Sequence, residues 1–221
     1  MAQDRQKIYA GMQHLILCEG IDAQNFLIYY LNSDALATWP ALQQTVQVAD
    51  FGGINQLYMA LSTWKNTEGF ENIKSLLIIR DAETSATNAI QSVKDAFKKA
   101  NLPQPDGPNS MSKTSAISTG FTLFPSCDKF PKNGTLEDLC LNILQEKESR
   151  LLEEIEAFMN KLGNEKLREF PHRFKSKLHT YFSITDKYVS LKIGEAAKAG
   201  AFNWDSPQLV NLRDFLVSML G

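Results

Sequence analysis

Acidic residues follow two apolar runs of the sequence and could together bind a metal ion. Glu19 comes directly after HLILC, and Asp81 and Glu83 follow SLLIIR. If both runs are strands of a parallel sheet, their carboxyl ends lie along one edge, where ligand sites form. Carboxylates that crowd within a few ångströms repel one another unless a divalent cation neutralises them or some stay protonated. Because Mg²⁺ prefers oxygen ligands and keeps several waters, the pattern predicts a Mg²⁺ or Mn²⁺ site at this edge.

A divalent ion at this edge would favour phosphoryl-group chemistry. Such an ion stabilises the charge that builds on a phosphoryl group and activates an attacking water. Glu19 would be placed to transfer a proton, and the residues do not indicate a covalent nucleophile. The alternative is structural, because an acidic residue after a strand often caps or begins a helix, and Asp22 and Glu83 both precede predicted helices.

Alternating strand and helix patterns over residues 12–100 provide the elements that would position these acids. Three apolar or alternating runs predict strands, and each is followed by apolar residues at helical spacing. In chain order the runs are HLILCEG, DAQNFLIYYLNS, TVQVADFGG, INQLYMALSTW, SLLIIRDAE and TSATNAIQSVKDAFKKA. Strand–helix units in succession favour a parallel sheet covered by helices. The predicted fold class is therefore α/β, with a mainly parallel sheet flanked by helices.

The second half of the chain predicts one more strand and a set of helices. Residues 103–119 are rich in Pro, Gly and Ser, which indicates an exposed and mobile loop. GFTLFPS predicts a fourth strand, and Thr135 with Asp138 resembles a capping box that begins a long helix. Apolar spacing then predicts helices up to the carboxyl terminus. We therefore expect an α/β core over residues 1–145 and a helical extension over residues 146–221 that packs on it as one compact domain.

Three segments resemble the Toprim module that topoisomerases, primases and several nucleases share. LCEGIDAQNFL, VADFGGINQL and LLIIRDAE are similar to its pattern of Glu-Gly after the first strand and Asp-x-Asp after a later apolar strand. GTLEDLCL and IGEAAKAGAFNWDSPQLVNLRDFL further resemble a bacterial family of stand-alone Toprim-like proteins. The module covers about residues 12–100, and the narrower resemblance runs over most of the chain. The resemblance implies a Toprim-like, Rossmann-like fold.

The resemblance also implies a role for each acid. Glu19 matches the Toprim glutamate that acts as a general acid or base or as a metal ligand, and Asp81 matches the first metal-binding aspartate. Glu83 stands where the second aspartate is expected, so its carboxylate lies one methylene farther from the backbone. Glu137 resembles the acidic residue that Toprim-like nucleases of the overcoming-lysogenization-defect type place at this edge. These matches imply a Mg²⁺-dependent protein that processes phosphodiester bonds, for example a nuclease.

Two groups of residues are candidates for substrate contacts. The first lies at the predicted edge, where glycine lets the backbone approach a ligand, and comprises Gly20, Asp22, Gly52, Gly53 and Asn55. The second lies in REFPHRFKSKLHTYF, where a local basic patch could bind the phosphates of DNA or RNA, and comprises Arg173, Lys175 and Lys177. The alternative for the second group is a solvated helix face whose aromatic neighbours lie in the core, which is the commoner role of a charge run.

Composition limits the possible partners and location. The formal net charge is -2 and the pI is near 6.0, so nucleic-acid binding would have to rest on a local patch. No apolar run approaches the roughly 20 residues that span a bilayer, so we expect no membrane partner. Three cysteines without CxxC pairing, and an opening without signal-peptide pattern, predict a reducing cytoplasm. The amphipathic helix after Thr135 could also offer a face to a homodimer or protein partner.

Two other functions remain open. A non-enzymatic module could keep the acidic pocket to bind a metal or a nucleotide and act through partners, and the Asp-x-Glu pattern at Asp81 and the acidic pI favour it. A signalling receiver also gathers acids at strand ends and adds a lysine, here Lys129. Receivers carry paired acids at the first strand, whereas this chain has Glu19 with Asp22 three positions later.

Overall fold

The computed structural model describes residues 7–220 and shows an α/β fold. Within these residues the strands are β1 (His14–Cys18), β2 (Val46–Asp50), β3 (Ser75–Asp81), β4 (Met111–Lys113) and β5 (Ser118–Phe124), and they form one sheet in the order β2-β1-β3-β5-β4. Neighbours among β1, β2, β3 and β5 are parallel, and β4 is antiparallel to β5. The predicted α/β class and mainly parallel sheet are confirmed. The first six residues, on which the prediction of no signal peptide partly rests, and Gly221 lie outside the described residues.

Helices connect the strands, and within residues 7–220 four more α-helices follow the last strand in the chain. They are α1 (Ile21–Leu31), α2 (Pro40–Gln44), α3 (Leu57–Lys65), α4 (Ala86–Lys99), α5 (Leu136–Asn164), α6 (Arg173–Ser183), α7 (Ile193–Lys198) and α8 (Val210–Leu220). Short 3₁₀ segments lie at Asp34–Leu36, Ile54–Gln56, Phe70–Asn72 and Pro207–Leu209. No helix of the described part combines the length and apolarity that a membrane crossing needs.

Both faces of the sheet are buried, as the continuous apolar runs require. Leu15 and Leu17 of β1 point to a cluster that includes residues of α3 and α4. Ile16 and Cys18 point to the opposite cluster, which includes residues of α1, α5, α6, α7 and α8. The helices beyond residue 145 therefore share a hydrophobic core with the sheet.

Capping at two helix starts agrees with the sequence. The Asp138 carboxylate accepts a hydrogen bond from the Thr135 N–H at 2.8 Å, and the two side chains complete the predicted capping box of α5. Ser85 caps α4, because its hydroxyl accepts a hydrogen bond from the Asn88 N–H at 3.3 Å. These caps satisfy backbone donors that a helix start leaves without a partner.

The segment from residue 103 to residue 119 differs from the prediction of a wholly exposed loop. Residues Met111–Lys113 form β4 and pair with β5 along the edge of the sheet. Pro105 and Pro108 are buried, and Thr119 donates a hydrogen bond from its hydroxyl to the Pro103 carbonyl at 2.6 Å. The Pro, Gly and Ser content therefore marks turns that fold back onto the sheet, and a three-residue strand is too short to show an alternating pattern.

Close packing of α1 against α7 yields a testable prediction. A Cβ added at Gly194 in α7 would lie 2.5 Å from the Asn25 Cβ in α1, which neither helix can relieve without moving. We expect Gly194→Ala to lower the free energy of unfolding by about 1–3 kcal/mol, because overpacking outweighs the better helix propensity of alanine. Chemical denaturation measures this change. Gly107→Ala is the matched control, since no atom lies within 4 Å of an added Cβ there, and equal effects would contradict the packing argument.

Candidate functional site

The predicted acids lie at a topological switch point on the edge where β1, β2, β3 and β5 end, here called the carboxyl edge. From β1 the chain crosses to β2 on one side and returns to β3 on the other. Glu19 follows β1 and donates its backbone N–H to the Ile79 carbonyl at 3.2 Å, and Asp81 is the last residue of β3. The two acids therefore flank the crevice in which open α/β sheets bind ligands.

Asp81 is held by the amino terminus of α5. Its Oδ1 accepts a hydrogen bond from the Leu136 N–H at 2.8 Å. Burial raises the pKa of Asp81 well above its usual range, the carboxylates of Glu137, Glu19 and Glu83 raise it further, and the hydrogen bond from Leu136 opposes the rise. The other three predicted acids therefore lie close enough to Asp81 for their charges to act on it.

Glu83 and Glu137 are brought to this edge by the turn that precedes α5. Glu83 and Gly134 exchange two backbone hydrogen bonds of 2.8 Å, and Glu137 lies in the first turn of α5. Glu83 has a φ of 56°, in the left-handed region that aspartate and asparagine adopt more readily than glutamate. Its side chain is exposed, whereas Glu137 is half-buried. The glutamate that replaces the expected second aspartate thus lies at the solvent side of the group.

Arg80 is a cation among these acids, and no pattern in the sequence predicted a role for it. Its side chain is only 3% exposed, and its Nε lies 3.2 Å from Glu19 Oε2. The same Nε donates a hydrogen bond to the Asp81 carbonyl at 3.1 Å. Burial lowers the pKa of Arg80, and the charges of Glu19, Asp81 and Glu83 oppose that change. The available signal was an arginine inside an otherwise apolar strand, because such a buried charge needs a partner.

Asp50, which ends β2, organises the two glycine turns of the edge and was also not predicted. Its Oδ1 accepts hydrogen bonds from the Gly20 N–H at 2.8 Å and from the Gly52 N–H at 2.6 Å. Both glycines have φ above 80°, a conformation that side chains disfavour. The neighbouring candidates Gly53 and Asn55 are exposed beside this turn. Asp50 therefore fixes the backbone around the crevice, and its place before the glycine pair was the signal in the sequence.

Asp22 has a structural contact. Its Oδ1 accepts a hydrogen bond from the Gly194 N–H at 3.0 Å, which joins the first turn of α1 to the start of α7. Asp22 also lies in the first turn of α1, where the helix-start alternative placed it. We place Asp22 in the scaffold that holds the extension on the sheet.

The basic patch of α6 lies away from the acids. Arg173 Nε donates a hydrogen bond to Glu156 Oε1 at 2.9 Å, and Lys177 Nζ lies 3.1 Å from Glu156 Oε2. The hydrogen bond from Arg173 lowers the pKa of Glu156, while Lys175 is exposed. Glu156 follows Glu137 by 19 positions on α5 and lies beyond the kink at Glu148. Two of the three predicted basic contacts thus hold α6 on α5.

The acids of the described residues do not form a closed metal cage. Among residues 7–220, no group of three or more His, Cys, Asp or Glu side chains is close enough to hold a metal ion. Mg²⁺ in proteins is usually bound through one or two carboxylates, with waters and substrate phosphates as the other ligands. Asp81, with its buried carboxylate and acidic neighbours, matches that donor set. The expected Mg²⁺ or Mn²⁺ would therefore bind with few protein ligands.

Comparison with known proteins gives one family and no individual relative. Residues 13–221 match the model of a family whose description reads "Protein of unknown function (DUF3226)". Neither the curated proteins nor the solved structures contain a match.

Proposed function

The chain belongs to the DUF3226 family, and from the geometry of its carboxyl edge we propose that it is a divalent-cation-dependent, Toprim-like protein that processes phosphodiester bonds in nucleic acid. One observation carries the proposal: Glu19 and Asp81 flank the switch-point crevice between β1 and β3. The hydrogen bond from Leu136 to Asp81 brings Glu137 of α5 beside them. Acids from three separate segments therefore gather where this fold class binds ligands.

The residues of the edge have separable roles in this proposal. Asp81 and Glu137 offer carboxylate oxygens to the cation, with Glu83 at the solvent side. A bound cation would supply charge stabilisation to a phosphoryl group and would acidify a water. Arg80 holds Glu19 in place through its ion pair, and Glu19 would act as the general acid or base. Asp50 keeps the turns at Gly20 and Gly52 in the conformation that lines the crevice.

A cleavage assay tests the proposal. Purified protein is incubated with single- and double-stranded DNA and RNA in Mg²⁺, in Mn²⁺ and in EDTA, and the products are resolved by length. We expect cleavage that requires the cation and is lost in Glu19→Gln. Glu154→Gln is the matched control, since it makes the same chemical change at an exposed glutamate of α5 outside this edge. Cleavage that persists in EDTA or in Glu19→Gln would contradict the assignment.

Nucleic-acid contacts are better placed on the turn after β5 than on α6. β5 pairs in register with β3, so that Phe124 lies opposite Asp81, and the turn therefore begins beside the acids. Phe130 is 88% exposed in this turn, and Lys129 and Lys132 on either side of it are exposed. An exposed ring between two lysines suits a single-stranded segment, whose bases stack and whose phosphates pair with cations.

The salt dependence of oligonucleotide binding tests whether the turn after β5 contacts nucleic acid. We expect Lys129→Ala and Lys132→Ala each to reduce the slope of log affinity against log salt by about 0.7, because each removes one phosphate contact to a single strand. We expect Phe130→Ala to weaken binding about tenfold through lost stacking. Fluorescence anisotropy of a labelled oligonucleotide in EDTA, without cleavage, gives both values. Lys98→Ala, an exposed lysine of α4, is the control, and a slope that changes equally in the control would contradict the prediction.

The Glu19–Arg80 ion pair favours a second candidate, a non-catalytic module that binds a metal or a nucleotide and acts through partners. The pair engages the carboxylate that would otherwise accept a proton. Calorimetry separates the two candidates. Saturable Mg²⁺ or Mn²⁺ binding that requires Asp81, together with no turnover of any DNA or RNA tested, would support the second candidate over the first.

A further inference from the structure

A cleft of about 780 Å³ lies near the carboxyl end of α1, away from Glu19 at its start. This volume is within the roughly 300–1,000 Å³ typical of small-molecule sites. The last turn of α1, the middle of α5, the end of α6 and the segment after α7 form its walls. α5 has non-helical backbone angles at Glu148, so its kink faces this cleft. The cleft is built largely by the helical extension, and the proposed phosphodiester chemistry does not use it.

Aromatic rings line the cleft and are held in place. The lining includes the partly exposed Tyr29, Tyr188 and Trp204 and the buried Tyr181 and Phe202. The Trp204 ring lies 5.2 Å from the Phe26 ring, centroid to centroid. The Tyr188 hydroxyl donates a hydrogen bond to the Gly200 carbonyl at 3.2 Å. Rings fixed in this way offer a flat apolar surface on which a planar ligand group can stack.

Charged side chains of both signs surround these rings. Lys147, Lys187 and Lys198 line the cleft and are exposed. None of the three forms an ion pair with a carboxylate of the described chain. The acids of the same lining are Asp34, Glu148 and Asp205. Lysines can pair with phosphate groups, and carboxylates can accept hydrogen bonds from hydroxyl or amino groups.

We propose that this cleft binds a mononucleotide. The base would stack on the aromatic rings, the phosphates would pair with the rim lysines, and the carboxylates would accept hydrogen bonds from the ribose or the base. An inorganic anion would leave the rings unused and would meet three carboxylates. A purely apolar ligand would leave six charged groups without a role. A nucleotide matches the rings, the lysines and the carboxylates of the lining, and the cleft is large enough to hold it.

Calorimetry and ¹⁹F NMR test the proposal with defined probes. AMP, ATP, GTP and inorganic phosphate are titrated separately into the full chain in EDTA, which prevents cation binding at the carboxyl edge. The chain has three tryptophans, so 5-fluorotryptophan labelling gives three resonances, and Trp204→Phe assigns that of Trp204. We expect saturable binding of at least one nucleotide, with the largest shift at Trp204.

Lysine variants locate the binding. We expect Lys187→Ala/Lys198→Ala to weaken nucleotide binding at least about tenfold, because charge-assisted hydrogen bonds to phosphate are lost. Lys98→Ala/Lys161→Ala, which removes two exposed lysines outside the cleft, should leave it unchanged. Asp81→Asn should also leave it unchanged, so the result is independent of the proposed chemistry. The proposal is overturned if no nucleotide binds, or if inorganic phosphate binds as tightly as the nucleotides. It is also overturned if Lys187→Ala/Lys198→Ala binds nucleotide as tightly as the wild type.

Discussion

Replacing Arg80 with methionine is expected to lower the free energy of unfolding by about 3–5 kcal/mol, the usual effect of breaking a buried ion pair. Methionine retains much of the side-chain volume but removes the guanidinium that pairs with Glu19, whose side chain is 15% exposed. Urea denaturation monitored by circular dichroism measures the change. Mg²⁺ should raise the midpoint of the variant more than that of the wild type, because a cation can then replace the lost positive charge.

A double-mutant cycle separates the charge effect from packing. Glu19→Gln in the Arg80→Met background should recover part of the lost stability, because it removes the carboxylate that has lost its ion pair with Arg80, whereas independent sites would give additive losses. Arg80→Lys is the conservative control. It keeps the charge, but the ammonium lies at the end of a flexible stem and not at the position of the Arg80 Nε, which contacts Glu19 and the Asp81 carbonyl. Additive losses in the cycle would show that Arg80 stabilises the fold by packing alone.

Asp81→Asn should change stability and activity in opposite directions. Asparagine can still accept the hydrogen bond from the Leu136 N–H, and it removes a buried charge from among three other acids. We expect the cation-free variant to be more stable than the wild type by about 1 kcal/mol at pH 8. Cleavage should fall at least about 100-fold, because the residue no longer offers an anionic ligand to the cation.

The pH dependence of this gain has a definite sign. The pKa of Asp81 is raised in the folded protein, so folding favours the protonated carboxyl. The stability that this protonation contributes is present at low pH and is lost as the pH rises through the raised pKa. Asparagine does not titrate, so the stability gained by Asp81→Asn should be larger at pH 8 than at pH 5. Denaturation at the two pH values measures the free energy of unfolding of both proteins. A variant that is less stable than the wild type at both pH values would contradict the prediction.

The fold could be predicted because most of its elements have local signals. The runs that became β1 and β3 are mostly apolar, as strands buried on both faces must be. The spacing of Thr135 and Asp138 alone predicted the start of α5. β4 could not be predicted, because Met111–Lys113 shows no pattern of its own and exists through its pairing with β5.

The site could be predicted only in part, because its ion pairs and hydrogen bonds join side chains that come together only in the folded structure. Strand ends indicated that Glu19 and Asp81 should meet at one edge, and the structure places both there. The sequence could not show that Arg80 would turn toward Glu19, or that Glu156 would engage Arg173 and Lys177. Those contacts join residues that are far apart in sequence or on separate helices, and no local spacing encodes them.

Anomalous scattering from crystals soaked in Mn²⁺ tests the central claim most directly. The account predicts a manganese peak at the carboxyl edge, about 2.1 Å from an Asp81 oxygen, with Glu19 or Glu137 as a second protein ligand and waters completing the shell. A saturated soak that leaves this edge empty, with Glu19 still paired to Arg80 and manganese bound elsewhere, would contradict it.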